Sequence, residues 1–284
     1  MNRLKLKQKL FNNFRVSTAF AILLLCSATL SAQQAEIKVF AHRGGKMEFA
    51  ENTLQAFQEV YKKGLRGYET DVRLTKDKHL VIFHDDNFKR IFGVEGSVEE
   101  STLEEIKALR TKDGYQIPTL DEALEFFNSK PWLYIEFEMK TTGSFYTEKV
   151  LEEYCDELYE KIHAHKPPTS DYLMTSFDSR PLKYLRSKYP SVDLLLIKGE
   201  GLSEKVLEEA KALGINRVGC KIEGTTRAMV RTAKKQGFII SLWPGSSIDD
   251  FILAIGLESD YACSDVPVAV YEWVKENAPW ITLK

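Results

Sequence analysis

From residue 36 onward the chain alternates short apolar runs, rich in β-branched residues, with longer stretches in which apolar positions recur every three or four residues. The first pattern suits strands buried on both faces, and the second suits helices with one apolar stripe. Eight strands are expected, at residues 37–41, 67–74, 133–139, 172–175, 192–197, 217–220, 238–243 and 261–263. Helices are expected between them, at 53–63, 119–128, 146–163, 179–188, 203–213, 225–235 and 248–255. Gly64, Gly214, Gly237 and Gly256 each stand where a helix gives way to the next strand, a place where a left-handed cap favours a residue without Cβ.

Strands and helices alternating in this number predict an α/β fold, specifically a (β/α)8 TIM barrel forming one domain. A doubly wound dinucleotide fold would carry Gly-x-Gly-x-x-Gly after a strand, and no strand here is followed by one. Residues 83–118 break the rhythm. Within them Ser101-Thr102-Leu103-Glu104-Glu105 reads as a capped helix start, so a small inserted segment after the second strand is expected to cover one barrel end.

Composition narrows the function. At 284 residues, 44% hydrophobic and 28% charged, the chain can bury a full core, which excludes disorder. Five of its Lys and Arg residues lie in the first 15 positions and no acid precedes Glu36; without those five, 34 basic residues face 41 acidic ones. That balance excludes an electrostatic nucleic-acid binder. The basic start, the apolar run at residues 17–26 and the small residues up to Ala32 form a signal-peptide layout, with 1–32 expected to be removed and 33–284 to be the barrel. The apolar run is too short to span a bilayer, and Leu25 before Cys26 is bulky for lipoprotein processing, so no stable membrane anchor is expected. The expected location is outside the cytoplasm, periplasmic or secreted. Cys155, Cys220 and Cys263 have neither the spacing of a zinc site nor the number of a disulfide framework.

Catalytic groups of such barrels sit at the C-terminal ends of strands. Here the ends carry His42-Arg43-Gly44-Gly45, Glu69-Thr70-Asp71, Phe83-His84-Asp85 and Glu136-Phe137-Glu138-Met139-Lys140. Glu69 and Asp71, two apart on a strand, share a face and repel each other unless a hard divalent cation neutralises them, with Glu136 or Glu138 completing the set. His42 and His84 both follow apolar runs and suit proton transfer, whereas His79, His163 and His165 read as surface residues. Arg43 and Lys140 add fixed cations that suit phosphate oxygens, so the set points to cleavage of a phosphate ester.

With Glu51-Asn52-Thr53-Leu54-Gln55-Ala56-Phe57, Ile117-Pro118-Thr119-Leu120, Thr175-Ser176-Phe177-Asp178, Trp243 and Ser264-Asp265-Val266-Pro267, these motifs closely resemble the glycerophosphodiester phosphodiesterase family. The resemblance covers nearly the whole chain after residue 32. It implies a (β/α)8 barrel that hydrolyses glycerophosphodiesters to an alcohol and sn-glycerol 3-phosphate with one divalent cation, Ca2+ or Mg2+. It implies acid/base roles for His42 and His84, metal ligation by Glu69, Asp71 and Glu138, phosphate contacts from Arg43 and Lys140, and substrate-side positions at Glu51 and Trp243. Glu138 is preferred to Glu136 because it lies two before Lys140, as the family pattern requires. Glu51 is open to two readings, direct contact or an acid that holds its loop. Ala50 in place of Pro and Trp243-Pro244-Gly245 in place of Trp-Thr-x-Asn depart from the pattern and bear on substrate selection. Alternatives on the same barrel are a lysophospholipase D, which would need an apolar approach for an acyl chain, with Phe49, Phe88, Ile91 and Phe92 either forming a membrane-facing rim or simply packing, and a barrel that binds a phosphate ligand without turnover.

Overall fold

The computed structural model describes residues 35–283; the leader read at 1–32, with its Cys26, lies outside the described residues. All eight expected strands form, their ends shifted by a few residues. Numbered in chain order they are β1 (Ala35–Ala41), β2 (Gly67–Leu74), β4 (Tyr134–Met139), β5 (Asp171–Ser176), β6 (Leu194–Gly201), β7 (Arg217–Lys221), β8 (Ile239–Gly245) and β9 (Tyr261–Ser264). Each pairs in parallel with the next, and β9 pairs with β1 to close a (β/α)8 barrel. The seam between β1 and β2 is narrow, a single pairing of Ala41 with Tyr68. Gly67 makes that approach possible: a Cβ there would stand 2.6 Å from the Phe40 Cβ and 2.7 Å from the Val39 carbonyl oxygen.

Two short strands stand outside the expected eight, one of them in the short run that ends in Phe83-His84-Asp85. β3 (Leu80–Ile82) folds back antiparallel on β2, and β10 (Ile281–Leu283) lies beside β1. At three residues each they are too short to show alternation.

Among the described residues the α-helices are α1 (Leu54–Lys62), α2 (Lys89–Phe92), α3 (Leu103–Ala108), α4 (Leu120–Asn128), α5 (Glu148–Ala164), α6 (Ser179–Lys188), α7 (Glu204–Ala212), α8 (Arg227–Lys235), α9 (Ile248–Gly256) and α10 (Pro267–Asn277). All seven expected helices are present. α10 escapes a periodicity reading because Val268, Val270, Tyr271 and Val274 favour strand as readily as helix; its clearest signal is Pro267 in the first turn. Thr102 and Thr119 cap α3 and α4, each accepting from the backbone N–H three residues on while the Glu there reaches back. One cap differs from expectation. Gly256 ends α9 in helical geometry, and Glu258 takes the positive φ, 65°.

Inside the ring, Phe40, Tyr134, Leu173, Leu195, Ile197 and Cys263 form an apolar floor, with Trp243 and Tyr261 packed on it. The inserted segment after β2 has a core of its own, built from Val81, Phe83, Phe88, Val98, Ile106 and Ile117, against which Ile91 and Phe92 pack. Of the four residues considered for a membrane-facing rim, Phe88 is buried in this core, Ile91 and Phe92 are partly buried against it, and Phe49 is partly exposed. Cys155, Cys220 and Cys263 are buried free thiols. Among the described residues no helix is long and apolar enough to cross a membrane.

Candidate active site

Parallel pairing sets Asp71 of β2 beside Glu138 of β4, and Glu69 beside Glu136 one layer deeper. All four carboxyls are buried, on strands that place alternate residues inside the barrel. Glu69, Asp71 and Glu138 offer oxygens that all lie within 4.8 Å of one another. Glu136 is turned to another partner, the Tyr134 hydroxyl, which donates to its Oε1 at 2.5 Å. Burial lifts the Glu136 carboxyl to about 7.

The three clustered carboxyls are unequal. Burial, with the charges of Asp71 and Glu138, pushes Glu69 well above the usual carboxylate range. Burial acts on Asp71 too, but Lys140, His84, Arg43 and a hydrogen bond from Asn52 together hold it well below that range. Asn52 Nδ2 donates to Asp71 Oδ2 at 2.8 Å, while Lys140 Nζ stands 3.3 Å from Asp71 Oδ1 and donates to Glu138 Oε1 at 2.6 Å. Glu69 Oε1 and Asp71 Oδ1 are buried without a hydrogen-bond donor. Bare hard oxygens on mutually repelling carboxylates fit a divalent cation such as Ca2+ or Mg2+.

His42 follows β1 directly. Its Nδ1 lies 2.5 Å from Asp265 Oδ1, just past β9, and its Nε2 faces Glu69 Oε2 at 3.8 Å. Asp265 is held in turn by the Ser246 hydroxyl at 2.9 Å and by Lys46 at 3.2 Å. His84 arrives from the end of β3, not from a barrel strand, because the hairpin folds back until Phe83 N–H donates to the Asp71 carbonyl. Its Nδ1 lies 2.7 Å from Asp85 Oδ1. Arg73 anchors this turn by donating to the His84 carbonyl at 2.8 Å and to Glu99 at 2.7 Å. Burial lowers both imidazoles below the usual histidine value, despite their aspartate partners.

Arg43 adopts a φ of 51°, uncommon for a residue with a Cβ, and a local outlier of this kind persists where surrounding bonds fix it. Here its N–H donates to Glu69 Oε2 at 2.9 Å and its carbonyl accepts from Asn52 N–H at 2.8 Å. Its side chain reaches Glu51 at 3.2 Å and Asp71 at 3.6 Å. Glu51 is thus an ion-pair partner of the loop, occupied by Arg43 and Arg90. Trp243 presents a buried indole N–H with no acceptor and meets the Phe177 ring edge-on at 5.6 Å.

Two cavities share this site. An inner one of about 240 Å³ is lined by His42, Arg43, Glu69, Glu136, Leu195 and Trp243 among others, and an outer, more polar one of about 640 Å³ by Arg73, Asp85, Asp86, Asn87 and Arg90. His84, Glu138, Lys140 and Phe177 border both.

Residues 42–267 match the glycerophosphoryl diester phosphodiesterase family. The chain belongs to that family. A glycerophosphodiester phosphodiesterase of Bacillus altitudinis is 32% identical over 167 residues, 56% of this chain and 66% of that protein, so the match spans just under two thirds of the relative. A human lysophospholipase D is 32% identical over 128 residues, 40% of each chain. In fold, the chain resembles a phosphodiesterase of Oleispira antarctica solved with its product sn-glycerol-3-phosphate, with a TM-score of 0.76 at 23% identity over 84% of this chain and 96% of that one.

All nine residues singled out from the sequence converge on the shared end of the barrel. Sequence reasoning gave no role to Asp265, Asn52, Asp85 or Arg90. The first three stand inside motifs already quoted, and Asp265 follows a strand end directly, a position that signals function in this fold. One expectation fails: His163 is half-buried, its Nδ1 2.8 Å from the Tyr159 carbonyl and its ring 4.3 Å from the Tyr159 ring.

Proposed function

We propose that the protein is an exported, metal-dependent phosphodiesterase that hydrolyses glycerophosphodiesters to an alcohol and sn-glycerol 3-phosphate. The observation that carries this reading is the set of three crowded carboxyls, two of them with an oxygen that accepts no hydrogen bond, faced by Arg43 and Lys140 and by two histidines whose Nδ1 atoms are committed to aspartates. Glu69, Asp71 and Glu138 would hold the cation, Ca2+ or Mg2+, which supplies positive charge that acidifies a hydroxyl and takes up charge on phosphoryl oxygens. Support for export is the leader at residues 1–32.

Arg43 and Lys140 neutralise the non-bridging oxygens of the diester, and the apolar floor excludes water from the glycerol half. With Nδ1 bound to aspartate, each imidazole presents Nε2 to the reaction. One takes a proton from the glycerol 2-hydroxyl as its oxygen attacks phosphorus. The other enters as the imidazolium and gives its Nε2 proton to the departing alcohol, and the two exchange roles when water opens the cyclic phosphate. The smaller inner cavity suits the constant glycerol half and the larger, more polar outer one the variable alcohol.

The test is to incubate the purified protein with glycerophosphocholine, glycerophosphoethanolamine, glycerophosphoglycerol and a lysophosphatidylcholine, with and without chelator, and to measure glycerol 3-phosphate and lysophosphatidate. Chelator-sensitive release of glycerol 3-phosphate is expected; release of lysophosphatidate alone would establish the lysophospholipase D reading, and binding without turnover the ligand-binding barrel. A 2-deoxy diester should bind yet turn over at least about a hundredfold more slowly, since it lacks the positioned nucleophile. Normal turnover of that analogue would replace the cyclic route with direct attack by water.

A further inference from the structure

Arg90 stands on α2, in the inserted segment and outside the ring of strands, yet its guanidinium ends between two carboxylates of the site. Nη1 donates to Glu51 Oε2 at 2.6 Å and Nη2 to Glu51 Oε1 at 2.7 Å. Nε donates to Asp85 Oδ2 at 2.6 Å and Nη2 to Asp85 Oδ1 at 2.9 Å. Each carboxylate also holds a functional side chain. Glu51 Oε1 accepts from Arg43 Nη1 at 3.2 Å, and Asp85 Oδ1 faces His84 Nδ1 at 2.7 Å. Arg43, Glu51, Arg90, Asp85 and His84 therefore form one unbroken chain of charged hydrogen bonds from the end of β1 to the turn after β3.

Half-exposed ion pairs usually add little to stability, so a guanidinium that forks to two carboxylates at once points to a geometric task. A planar fork can satisfy two carboxylates in fixed directions; an ammonium is a single point of charge and cannot hold both planes. With Asp85 fixed, His84 is kept as the Nδ1–H tautomer with Nε2 free. With Glu51 fixed, the Arg43 side chain is kept beside Asp71.

We propose that Arg90 is a positioning residue that couples the inserted segment to the barrel site, setting the orientation of His84 and Arg43 at the same time through Asp85 and Glu51. This rests on the phosphodiesterase reading above. It acts on the transition state and not on the choice of alcohol, although Arg90 borders the outer cavity.

The test compares Arg90→Ala and Arg90→Lys with the native protein on glycerophosphodiesters of three different alcohols, together with 15N NMR of the His84 ring. Arg90→Ala is expected to lower kcat by about 10- to 100-fold, the scale of losing a group that orients a catalytic ligand, by the same factor for each alcohol and with KM unchanged. Added guanidinium ion should restore part of the loss, and Arg90→Lys should fall between the two. The His84 ring should pass from one tautomer to a mixture, a readout that needs no turnover and so separates failure of this proposal from failure of the functional reading. Lys62→Ala, which removes an exposed cation paired with Glu59 and lining neither cavity, should leave kcat unchanged. An unchanged kcat in Arg90→Ala, or a KM that rises by a different factor for each alcohol, would overturn the proposal, the second by making Arg90 a contact to the leaving group. A failure of guanidinium to restore any activity to a folded Arg90→Ala protein would also overturn it. Should Arg90→Ala not fold, native kcat and an unmixed His84 tautomer in Arg90→Lys would overturn it equally.

Discussion

Glu69 and Asp71 are two residues apart and equally buried, yet they should respond in opposite senses to substitution. Glu69 is the crowded acid, so Glu69→Gln removes repulsion and should leave the cation-free protein as stable as before or more so. Asp71 is the counter-charge of Lys140 and Arg43, and removing one partner of a buried pair typically costs about 3–5 kcal/mol. Asp71→Ala should therefore lower the unfolding free energy read from urea titration in chelator, by up to that scale since Lys140 keeps Glu138 and Arg43 keeps Glu51, while both variants lose activity and bound cation. Full metal stoichiometry in Glu69→Gln would remove it from the ligand set. His42→Ala and His84→Ala should each lower kcat by about 10²- to 10⁴-fold with the cation still bound, as for loss of a positioned proton-transfer group. Loss of metal in either would make that histidine a ligand. His165→Ala is the better control, since His163 packs on Tyr159. At this scale strand period puts Glu69 and Asp71 on one inner face but leaves Glu136 and Glu138 equivalent; the resemblance favours Glu138, and the structure gathers it with Glu69 and Asp71 while Glu136 turns to Tyr134. Asp265 and Arg90 were not legible in the sequence, because their partners lie far along the chain, at His42 and Glu51, and only the fold brings them together.

Among the elements, the eight parallel strands were legible from their apolar runs, since a sheet covered on both faces needs no alternation. The β2–β3 hairpin was not: β3 has three residues, and its run reads as one more strand end although it turns back on β2. The consequence for function is that His84 depends on the inserted segment for its place, not on the ring. The seam between β1 and β2 is the other element with little tolerance. Gly67→Ala would put a methyl group against the Phe40 Cβ and the Val39 carbonyl, so it should cost about 1–3 kcal/mol or more, read as a fall in denaturation midpoint. His42 follows β1, so the same variant should also lose kcat even where it remains folded. A Gly67→Ala protein with native midpoint would show that the seam can open without cost.

At the scale of the whole molecule, binding a cation to a site preformed only in the folded chain must stabilise that chain. At a hundred times Kd the gain is about 2.7 kcal/mol, and for a domain of this size each kcal/mol raises Tm by roughly 2–4 °C. Ca2+ or Mg2+ should therefore raise Tm by about 5–10 °C in the native protein and leave Glu69→Gln much less changed; calorimetry with each ion reads both. No shift with either ion would deny a divalent site at Glu69, Asp71 and Glu138.

The closure of the ring by β9 against β1 sets the order in which the chain can reach its native state. Lys38 to Ala41 find their partners at Tyr261 to Ser264, more than two hundred residues later, and meet β2 at one position only. While the ribosome is still making the middle of the chain, β1 has almost nothing to pair with, and His42 has no Asp265 to orient it. A contact so remote in sequence makes assembly slow and its last step cooperative. Chains halted before residue 261 should remain protease-sensitive throughout, and protection should appear only once β9 has emerged.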